Sequence, residues 1–513
     1  MRPILVILAL ILGAATPAAA TPRFEDLSAT LPPHEYTGGW DHFVGGGVSV
    51  FDCDGDGLPE IVAAGGTTPA LLLRNRGDLR FAADAAFPEI AGTTGLYPVD
   101  IDADGWRDLV VLRVGPDVIL SGGPDCTFVD ATDRFGLAQT DQWSTAFTAW
   151  WPPAGPGAEG PPAMAIGHYV DRADPLGPFE TCDTNLLLDP RAVDGGPLWD
   201  AEVLAPGFCA LSILTSRDAR DRLTLRLSND RHYYVRGGYE QMWDVTERRF
   251  LTEDDGWPTV SLWGMGIAAR DLDGDGRDEV MLTSMGDQLL QLATPEGTYT
   301  AAPYEIGTYA QHPFIGDDGR PSTGWHAEFG DVDNDGRADL FIAKGNVDQM
   351  PSNAIHDPNN LLMQGVDGRF VEAALEAGVA TTARSRGAAL ADLDLDGRLD
   401  LVVVNRRAPL ELYRNVTEGA GHWIAVALTQ PGGNRDAVGA RVWVTTPDGA
   451  QNQQVTIGGG HGGMDATPLH FGLGTATEVT VSVTWPDGTT WGPWIATPDS
   501  LLILDRAALP DLP

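Results

Sequence analysis

Short apolar runs, separated by polar turns that contain Gly, Asn or Asp, recur along most of the chain. Runs of this length, bounded by turn residues, predict β-strands, because amphipathic helices are longer and repeat their apolar residues every three or four positions. Examples are "LVVLRV", "VMLTSM", "LFIAKG" and "LVVVNR". About four such strands fall in each unit, and this number is typical of one blade of a β-propeller.

In five of these units, an acidic pattern lies immediately before the second strand. It reads D-x-D-x-D-G-x-x-[DE] and begins at Asp52, Asp100, Asp271, Asp331 and Asp392. Where two copies are consecutive units, they start 48, 60 or 61 residues apart. Repeats of about this length are typical of propellers and arrays of small structural units.

A sixth unit, residues 143–171, has the strand pattern but has lost the acids of its loop. An insertion that contains Cys182 and Cys209 follows, and residues 222–235 are predicted to supply the third and fourth strands of this unit. We therefore count six units, and a seventh blade could lie within the insertion. The stretch "RFEDLSATL" near the N-terminus is predicted to be a final strand that closes the ring against the last blade.

The predicted fold class is therefore all-β, with a six- or seven-bladed β-propeller over residues 21–420. Residues 421–500 alternate apolar and polar positions and contain two "PDG" turns, which predicts a small antiparallel β domain. Residues 501–513 are predicted to be a C-terminal tail.

The acidic loops predict metal sites. Carboxylates at positions 1, 3, 5 and 9 of each loop point at one centre, Gly at position 6 permits the sharp turn, and hard oxygen ligands favour Ca²⁺. An EF-hand would need an acidic ligand at position 12, where all five loops are apolar, and an acidic turn without metal is the alternative. About five structural Ca²⁺ ions are predicted. Their ligands are Asp52, Asp54, Asp56, Glu60, Asp100, Asp102, Asp104, Asp108, Asp271, Asp273, Asp275, Glu279, Asp331, Asp333, Asp335, Asp339, Asp392, Asp394, Asp396 and Asp400.

The overall charge agrees with cation binding. The chain has 72 Asp and Glu against 33 Lys and Arg, a net charge of −39. Such a chain is not expected to bind nucleic acid or anionic lipid. Residues 1–20 have a basic residue, a short apolar run and "AAA", as in a secretory signal peptide, and no stretch is long and apolar enough to predict a membrane span. The protein is predicted to be secreted, either extracellular or periplasmic.

The four cysteines allow three pairings. Cys182 and Cys209 bracket an irregular segment and are predicted to form a disulfide. Cys53 lies inside an acidic loop and Cys126 in a separate turn, so both are expected to be free thiols.

The repeated loops and the stretch "LLLRNRGDLRFAADA" resemble the FG-GAP/VCBS repeats of integrin α-chain propellers and of many bacterial secreted proteins. Residues 422–494 resemble the ASPIC/UnbV domain of the cartilage acidic protein family, and the matching pieces are "GNRDAVGARVWV", "PLHFGLG" and "VTVSVTWPDG". The segment "GGGHGGMD" departs from that family's usual pattern. The resemblance implies the architecture of a secreted bacterial member of the family rather than a defined activity.

The sequence contains neither H-E-x-x-H nor G-x-S-x-G. The first hypothesis is therefore a non-enzymatic, calcium-binding module for adhesion, binding or scaffolding, with an extracellular protein or glycan as partner. The alternative is a lyase or hydrolase that acts on polysaccharide in the propeller channel. His461 of "GGGHGGMD" is expected to be a surface residue, the tryptophans are expected to fill gaps between blades, and Arg76-Gly77-Asp78 is expected to be a hairpin turn.

Overall fold

The structure is a computed structural model that describes residues 20–138, 140–152, 160–174, 181–191, 198–230, 237–309, 320–348, 350 and 352–508. Residues 1–19, which include nearly all of the predicted signal peptide, lie outside the described residues. The described strands form seven four-stranded antiparallel sheets, one per blade, and two further sheets near the C-terminus.

Six blades are built from consecutive strands, and each blade runs from its inner to its outer strand in chain order. Blade 1 contains Val48–Phe51, Glu60–Ala63, Leu71–Asn75 and Phe81–Ala83, and blade 2 contains Thr93–Val99, Asp108–Arg113, Val118–Gly123 and Thr127–Asp130. Blade 3 contains Ser144–Trp150, Ala163–His168, Asn185–Pro190 and Trp199–Leu204, and blade 4 contains Ala210–Arg217, Leu223–Asn229, Gln241–Asp244 and Arg249–Phe250. Blade 5 contains Gly264–Arg270, Glu279–Ser284, Leu289–Ala293 and Tyr299–Ala301, and blade 6 contains Gly324–Gly330, Asp339–Lys344, Asn360–Gln364 and Phe370–Glu372.

The N-terminal strand closes the ring, as predicted. Blade 7 contains Ser385–Ala391, Asp400–Asn405 and Glu411–Asn415, and its outer strand is Phe24–Asp26 from the start of the described chain. Phe24 pairs with Asn415 in antiparallel register. This exchange joins the two ends of the propeller without a covalent bond.

The propeller has seven blades. Of the two predicted alternatives, six or seven blades, the second is confirmed. The assignment of residues 222–235 to the third and fourth strands of blade 3 was wrong, since Leu223–Asn229 is the second strand of blade 4 and pairs with Ala210–Arg217. Residues 231–235 of this segment lie outside the described residues. The sequence obscures this blade because its loop, like that of blade 3, lacks the acidic pattern. Cys209 directly precedes the inner strand of blade 4, so the predicted insertion holds the start of a blade.

Burial explains the strand sequences. Inner strands such as Thr93–Val99 and Ser385–Ala391 are buried along their whole length, whereas outer strands such as Thr127–Asp130 are mostly exposed. The second strands, for example Asp400–Asn405, are runs of Leu and Val that pack against neighbouring blades. Continuous apolar runs are expected for strands that are covered on both faces.

The C-terminal domain packs two sheets face to face. One contains Leu469–Gly474, His422–Thr429 and Ser500–Asp505, and the other contains Gly449–Gln454, Arg441–Thr446, Val479–Thr484 and Thr490–Ala496. The predicted antiparallel domain therefore contains one parallel pair, because Ser500–Asp505 runs parallel to His422–Thr429. This last strand includes residues 501–505, which the sequence analysis placed in the tail.

Helices are short. The α-helices are Thr132–Phe135 and Ala374–Ala377, and the 3₁₀ turns are Ser28–Thr30, Trp40–His42, Pro124–Cys126, Glu253–Asp255 and Tyr304–Ile306. Within the described residues, none of the helices has the length and apolarity that crossing a membrane requires.

Both pairs of cysteines form disulfides. Cys182 pairs with Cys209, as predicted, and joins blade 3 to blade 4. The expectation that Cys53 and Cys126 are free thiols was wrong, because they form a second disulfide that joins the blade 1 loop to blade 2. The two residues are 73 positions apart in sequence but lie together because adjacent blades place the first loop of one against the outer turn of the other.

Candidate metal sites and the domain junction

The five acidic loops connect the first and second strands of blades 1, 2, 5, 6 and 7. The sharp turn depends on the glycine at position 6, whose φ lies between +83° and +94° in all five loops. Residues with a side chain are strained in this region, which explains why glycine recurs there. These glycines are Gly57, Gly105, Gly276, Gly336 and Gly397.

Backbone amides orient two of the acids in every loop. In blade 6 the N–H of Gly336 donates to Asp331 Oδ2 at 2.8 Å, and the N–H of Val332 donates to Asp339 Oδ2 at 3.0 Å. The same two bonds occur in the other four loops. The acids at positions 1 and 9 are therefore held in place by the backbone before any metal binds.

Three acids of a loop converge on one point in at least four blades. One carboxylate oxygen from each of positions 1, 3 and 9 lies within 4.8 Å of the others. The groups are Asp52, Asp54 and Glu60; Asp100, Asp102 and Asp108; Asp271, Asp273 and Glu279; and Asp331, Asp333 and Asp339.

The fifth loop, in blade 7, has the same layout. The Leu393 N–H donates to Asp400 Oδ2 at 3.1 Å, and burial together with the charges of Asp394 and Asp392 raises the pKa of Asp400 well above its ordinary value. Arg414 lies 2.8 Å from Asp394 and partly offsets the negative charge.

The acid at position 5 does not join these four groups, which differs from the predicted four-acid arrangement. In blades 5, 6 and 7 its carboxylate forms an ion pair with the arginine two residues later, as Asp335 does with Arg337. In blades 1 and 2 the residue at position 7 is not basic, and Asp56 and Asp104 are exposed. In blades 5, 6 and 7 the arginine therefore competes for this carboxylate. Positions 1, 3 and 9 come together in at least four blades, and Asp56, Asp104, Asp275 and Asp335 lie outside these groups.

Burial and mutual repulsion disfavour ionisation of the grouped acids. Burial raises the pKa of Asp331 to about 8, helped by the charge of Asp333, and it raises the pKa of Asp333 to about 6. Burial likewise raises the pKa of Glu60 to about 7, that of Asp108 to about 7 and that of Glu279 to about 8. A bound cation reverses both effects, because it supplies the opposite charge at short range.

Among the described residues, several buried carboxylate oxygens have no hydrogen-bond partner. They are Glu60 Oε1, Asp100 Oδ1, Asp394 Oδ1 and both oxygens of Asp333. Burying a charged oxygen without a partner is costly. The donor set consists of hard oxygens, and the unpartnered atoms belong to the loop acids, so these residues fit a hard divalent cation.

The C-terminal domain lies directly on the loops of blades 2, 5, 6 and 7. Gly421 N–H donates to the Asp333 carbonyl oxygen at 2.9 Å, and Gly474 N–H donates to the Asn334 carbonyl oxygen at 2.8 Å. Arg441 forms two hydrogen bonds with Asp278, at 2.9 and 3.0 Å, and Asn452 donates to Asp271. In blade 7, His470 Nε2 lies 3.1 Å from the Gly397 carbonyl oxygen, and in blade 2, Arg107 forms an ion pair with Asp436 at 3.2 Å. Four candidate metal loops are thus part of the interface between propeller and C-terminal domain.

A glycine-rich loop of the C-terminal domain fills the propeller channel. We call residues 457–466 the plug loop; they connect Gly449–Gln454 to Leu469–Gly474. The loop bonds to the inner strands of blades 1 to 6, which surround the channel. In blades 1, 2 and 3 the bonds run from Met464 N–H to Ser49 Oγ, from Leu96 N–H to the Gly462 carbonyl and from Thr148 Oγ1 to the Ile457 carbonyl. In blades 4, 5 and 6 they run from Gly459 N–H to the Ile213 carbonyl, from Gly460 N–H to the Ile267 carbonyl and from His461 N–H to His326 Nδ1.

Glycine is required in the plug loop because it touches the propeller backbone. A Cβ on Gly463 would lie 2.0 Å from the carbonyl oxygen of Val48. Gly458, Gly459, Gly460 and Gly462 also have positive φ. The departure of "GGGHGGMD" from the family pattern therefore coincides with the segment that enters the channel.

His461 is at the tip of the plug loop, and the expectation that it is a surface residue was wrong. It is fully buried, and its Nε2 accepts a hydrogen bond from the Gly45 N–H at 3.1 Å. Burial, with the nearby charges of Arg386 and His326, lowers its pKa to about 3. Its ring packs against Trp325, which is also fully buried, as expected for a tryptophan that fills interior space.

The propeller and the C-terminal domain correspond to two known kinds of domain. Family models of the FG-GAP-like repeat match residues 52–111, 271–342 and 331–403, and the family model of ASPIC and UnbV matches residues 430–492. The chain therefore carries FG-GAP-like repeats that form a β-propeller, followed by an ASPIC and UnbV domain. The predicted combination of domains is confirmed.

Weak similarity links the chain to cartilage acidic protein 1. It is 32% identical to the Mus musculus protein over 20% of this chain, 30% identical to the Xenopus tropicalis protein over 24%, and 32% identical to the Homo sapiens protein over 20%. These matches cover only 17%, 20% and 16% of the respective relatives.

Among solved structures, BBS1N in complex with ARL6DN shows 10% identity and a TM-score of 0.46, with 79% of this chain and 99% of that chain covered. YCF48 bound to D1 peptide shows 10% identity and a TM-score of 0.42, with 78% and 99% covered. Likenesses this weak carry no information about the ligands of this chain.

Proposed function

We propose that the protein is a secreted, calcium-stabilised propeller that serves as an extracellular binding, adhesion or scaffold module. The observation that carries the calcium proposal is the convergence of three carboxylates in each of at least four loops, where some buried oxygens have no hydrogen-bond partner among the described residues. Oxygen ligands in a flexible loop suit Ca²⁺ better than softer metals. The predicted ligands at positions 1, 3 and 9 would hold the ion, and the acids at position 5 would complete the shell if their arginines release them.

Calcium would act structurally in this proposal. It would offset part of the negative charge of the three to four carboxylates in each loop and so favour the folded state, because it binds that state and not the unfolded chain. Four of the loops contact the C-terminal domain, so the ions would also support its position on the ring.

Secretion is supported by the predicted signal peptide and by the two disulfides. Disulfides persist in oxidising compartments and are rare in the cytosol. A strongly acidic surface adds solubility and fits a calcium-containing exterior. The partner, a protein or a glycan, stays unassigned.

The alternative function, a lyase or hydrolase that works inside the channel, is less well supported. Propeller enzymes of this kind need a channel open to a polymer chain, whereas the plug loop bonds to six of the seven inner strands that surround this channel. A screen for turnover of acidic and neutral polysaccharides in the presence of Ca²⁺ tests this alternative, and turnover would overturn the binding-module proposal.

The calcium proposal is tested by counting ions and by melting. Native mass spectrometry in a calcium-containing volatile buffer is expected to detect about five Ca²⁺ per chain, and fewer than about three would contradict the proposal. At calcium concentrations of about a hundredfold over Kd, each site stabilises by about 2.7 kcal/mol, so removal with a chelator is expected to lower Tm by on the order of 10–15 °C. Equal melting curves with chelator and with calcium would exclude a structural role.

A further inference from the structure

Side-chain amides join the acidic loops of neighbouring blades. In three blades the last residue of the third strand is an Asn or a Gln. Its side-chain amide donates a hydrogen bond to the carbonyl at position 2 of the acidic loop in the preceding blade of the ring. These bonds join Asn415 Nδ2 of blade 7 to Val332 at 2.9 Å, Gln364 Nε2 of blade 6 to Leu272 at 3.4 Å, and Asn75 Nδ2 of blade 1 to Leu393 at 2.8 Å.

In blades 6 and 7 the same residue also bonds to an acid of its own loop. The backbone N–H of Asn415 donates to Asp400 Oδ1, and that of Gln364 donates to Asp339 Oδ1, both at 2.9 Å. Asp400 and Asp339 are the acids at position 9 of their loops. In blade 1, by contrast, the backbone N–H of Asn75 bonds to no loop acid within the described structure. Two of the three amides therefore link a loop acid to the backbone of the neighbouring loop.

The bonds from Asn415 continue to an acid of blade 6. The Val332 carbonyl accepts the bond from Asn415, and the Val332 N–H donates to Asp339 Oδ2 at 3.0 Å. An unbroken path of hydrogen bonds therefore joins Asp400 of blade 7 to Asp339 of blade 6. Asn415 and Asp339 are fully buried, so water competes little for these bonds.

A second path leads from blade 6 to blade 5. Gln364 bonds to Asp339 through its backbone and to the Leu272 carbonyl through its side chain. The Leu272 N–H in turn donates to Glu279 Oε2, at position 9 of the blade 5 loop, at 2.9 Å. Asp339 belongs to both paths, because its two oxygens accept one bond from each. The position 9 acids of blades 5, 6 and 7 are thus connected in one series.

A direct contact adds a second link between blades 6 and 7. Asn334 is at position 4 of the blade 6 loop, and its Nδ2 donates to the Gly397 carbonyl oxygen at 2.9 Å. Gly397 is at position 6 of the blade 7 loop. Asn334 has a φ of +57°, which Asn adopts more readily than most residues with a side chain. The loop backbone therefore presents this amide directly to the neighbouring loop.

We propose that the calcium sites of blades 5, 6 and 7 form one linked array, in which Gln364 and Asn415 are positioning residues that relay ion binding from loop to loop. This inference rests on the proposed structural role of calcium. An ion that holds Asp400 also fixes the backbone of Asn415. The amide of Asn415 then fixes the Val332 peptide group, which orients Asp339. The next ion meets a loop that is already ordered and binds more tightly, so the sites fill cooperatively.

Hydrogen exchange measured by mass spectrometry tests the proposal, because it follows each loop separately. The full-length protein is exchanged over a series of free calcium concentrations, with Asp394→Asn to disable the blade 7 site. We expect the calcium concentration that half-protects the blade 6 loop to rise at least about fivefold, although every acid of blade 6 is unchanged. The blade 2 loop, which neither path reaches, is the internal control and should keep its midpoint. An unchanged midpoint in blade 6 would overturn the proposal.

Variants of the linking residues assign the effect to the two links. Asn415→Ala together with Asn334→Gly removes both links between blades 6 and 7. In this background, Asp394→Asn is expected to leave the blade 6 midpoint unchanged. Asn75→Ala is the matched control, because it also removes a buried amide that donates to two backbone carbonyls but bonds to no acid of its own loop. The shift should persist in this control, and a shift that also persists without both links would overturn the proposal.

Melting curves in calcium establish which variants are folded. Where the double variant fails to fold, Asp273→Asn in blade 5 tests the second path in the same way. The blade 6 loop is again followed, with and without Gln364→Ala, and the shift should disappear in the Gln364 variant. Protection of each loop at a calcium concentration independent of its neighbours would overturn the linked array alone. Absence of calcium-dependent protection in every loop would instead overturn the proposed calcium function itself.

Discussion

The loops of blades 1 and 6 have the same acidic pattern in opposite surroundings. In blade 1, Asp52 and Asp54 are partly exposed, Asp56 is exposed, and Arg74 forms an ion pair with Asp54. No hydrogen bond or ion pair joins residues 52–60 to the C-terminal domain in the described structure. The disulfide of Cys53 instead anchors this loop to blade 2.

In blade 6 the corresponding loop is covered by the C-terminal domain. Asp331 and Asp333 are buried, both oxygens of Asp333 lack hydrogen-bond partners within the described part of the chain, and Gly421 and Gly474 bond to the loop backbone. The motif therefore fixes the positions of the acids, while the surroundings decide how strongly the folded protein depends on a cation there. Blade 1 is stabilised by an arginine and a disulfide, whereas in blade 6 the charges of Arg270 and Arg337 only partly offset those of the buried acids.

The largest expected effect comes from Asp333→Asn, with Asp54→Asn at the same loop position as its control. In calcium, Asp333→Asn is expected to destabilise the protein by about 3–5 kcal/mol, because it disrupts a buried group of charges. Asp54→Asn is expected to cost about 2–3 kcal/mol, the contribution of one site in excess calcium. Denaturant unfolding in calcium measures both values.

As a control, the stabilities of both variants are also measured in the presence of a chelator. Without calcium, Asp333→Asn removes a buried, repelled charge, so this variant is expected to be at least as stable as the wild type. Hydrogen exchange of the plug loop gives a second comparison: faster exchange is expected in Asp333→Asn and unchanged exchange in Asp54→Asn. Equal effects of the two variants on the plug loop would refute the difference between the blades.

Blades 1 and 6 also show how much of the structure can be predicted from the sequence. The spacing of the acids and the glycine at position 6 predicted both loops, because each loop is a local structure with its own hydrogen bonds. The apolar runs predicted the blades, and "RFEDLSATL" predicted the closing strand.

Contacts between residues far apart in the sequence could not be predicted. The partner of Cys53 depends on which turn of the next blade faces its loop, and nothing near Cys126 indicates this. The cover over Asp333 and the burial of His461 depend on how a second domain docks, and a run of glycines looks the same in a surface loop and in a channel. The arginines two residues after the position 5 acids were visible in the sequence, and they could have signalled competition for those carboxylates.

The next effect concerns the anchor of the blade 1 loop. Replacing Cys53 and Cys126 together with Ala is expected to cost about 2–4 kcal/mol, since the disulfide closes a loop of 73 residues. It should also weaken calcium binding in blade 1, because the Cys53 N–H orients Glu60. The matched control is Ala at Cys182 and Cys209, which should leave calcium titrations unchanged. Calcium titrations of both variants are measured by calorimetry. Identical titrations would show that the disulfide of Cys53 does not affect the calcium site in blade 1.

A smaller effect tests how blade 1 meets the C-terminal domain, which it contacts through the plug loop rather than through its acidic loop. Gly463→Ala would place a methyl group against the Val48 backbone and is expected to destabilise the protein by about 1–3 kcal/mol. Gly39→Ala, where a Cβ meets no atom within 4 Å, is the control and should change stability by no more than about 0.5 kcal/mol. Thermal unfolding of both variants measures the difference, and equal stabilities would mean that the plug loop does not pack as described.

The smallest expected effect is the pH dependence of the stabilisation that calcium gives the fold. The acids of blade 6 should contribute more to this pH dependence than those of blade 1. Burial raises the pKa of Asp331 to about 8 and that of Asp333 to about 6, and it raises the pKa of Asp339 well above its ordinary value. These pKa values exceed those of the unfolded chain. Protonation therefore stabilises the calcium-free fold at low pH, and this stabilisation is lost as the pH rises through about 6 to 8.

Calcium binds the deprotonated loop and must displace these protons, at a cost of about 1.4 kcal/mol per pH unit for each one. The calcium-dependent rise in Tm is therefore expected to be smaller at pH 6 than at pH 7. Because Asn does not titrate, this pH dependence should be weaker in Asp333→Asn than in Asp54→Asn. Calorimetry in buffers of different ionisation enthalpy counts the protons released per calcium, and a count of zero would mean that the loop acids are already ionised in the calcium-free fold.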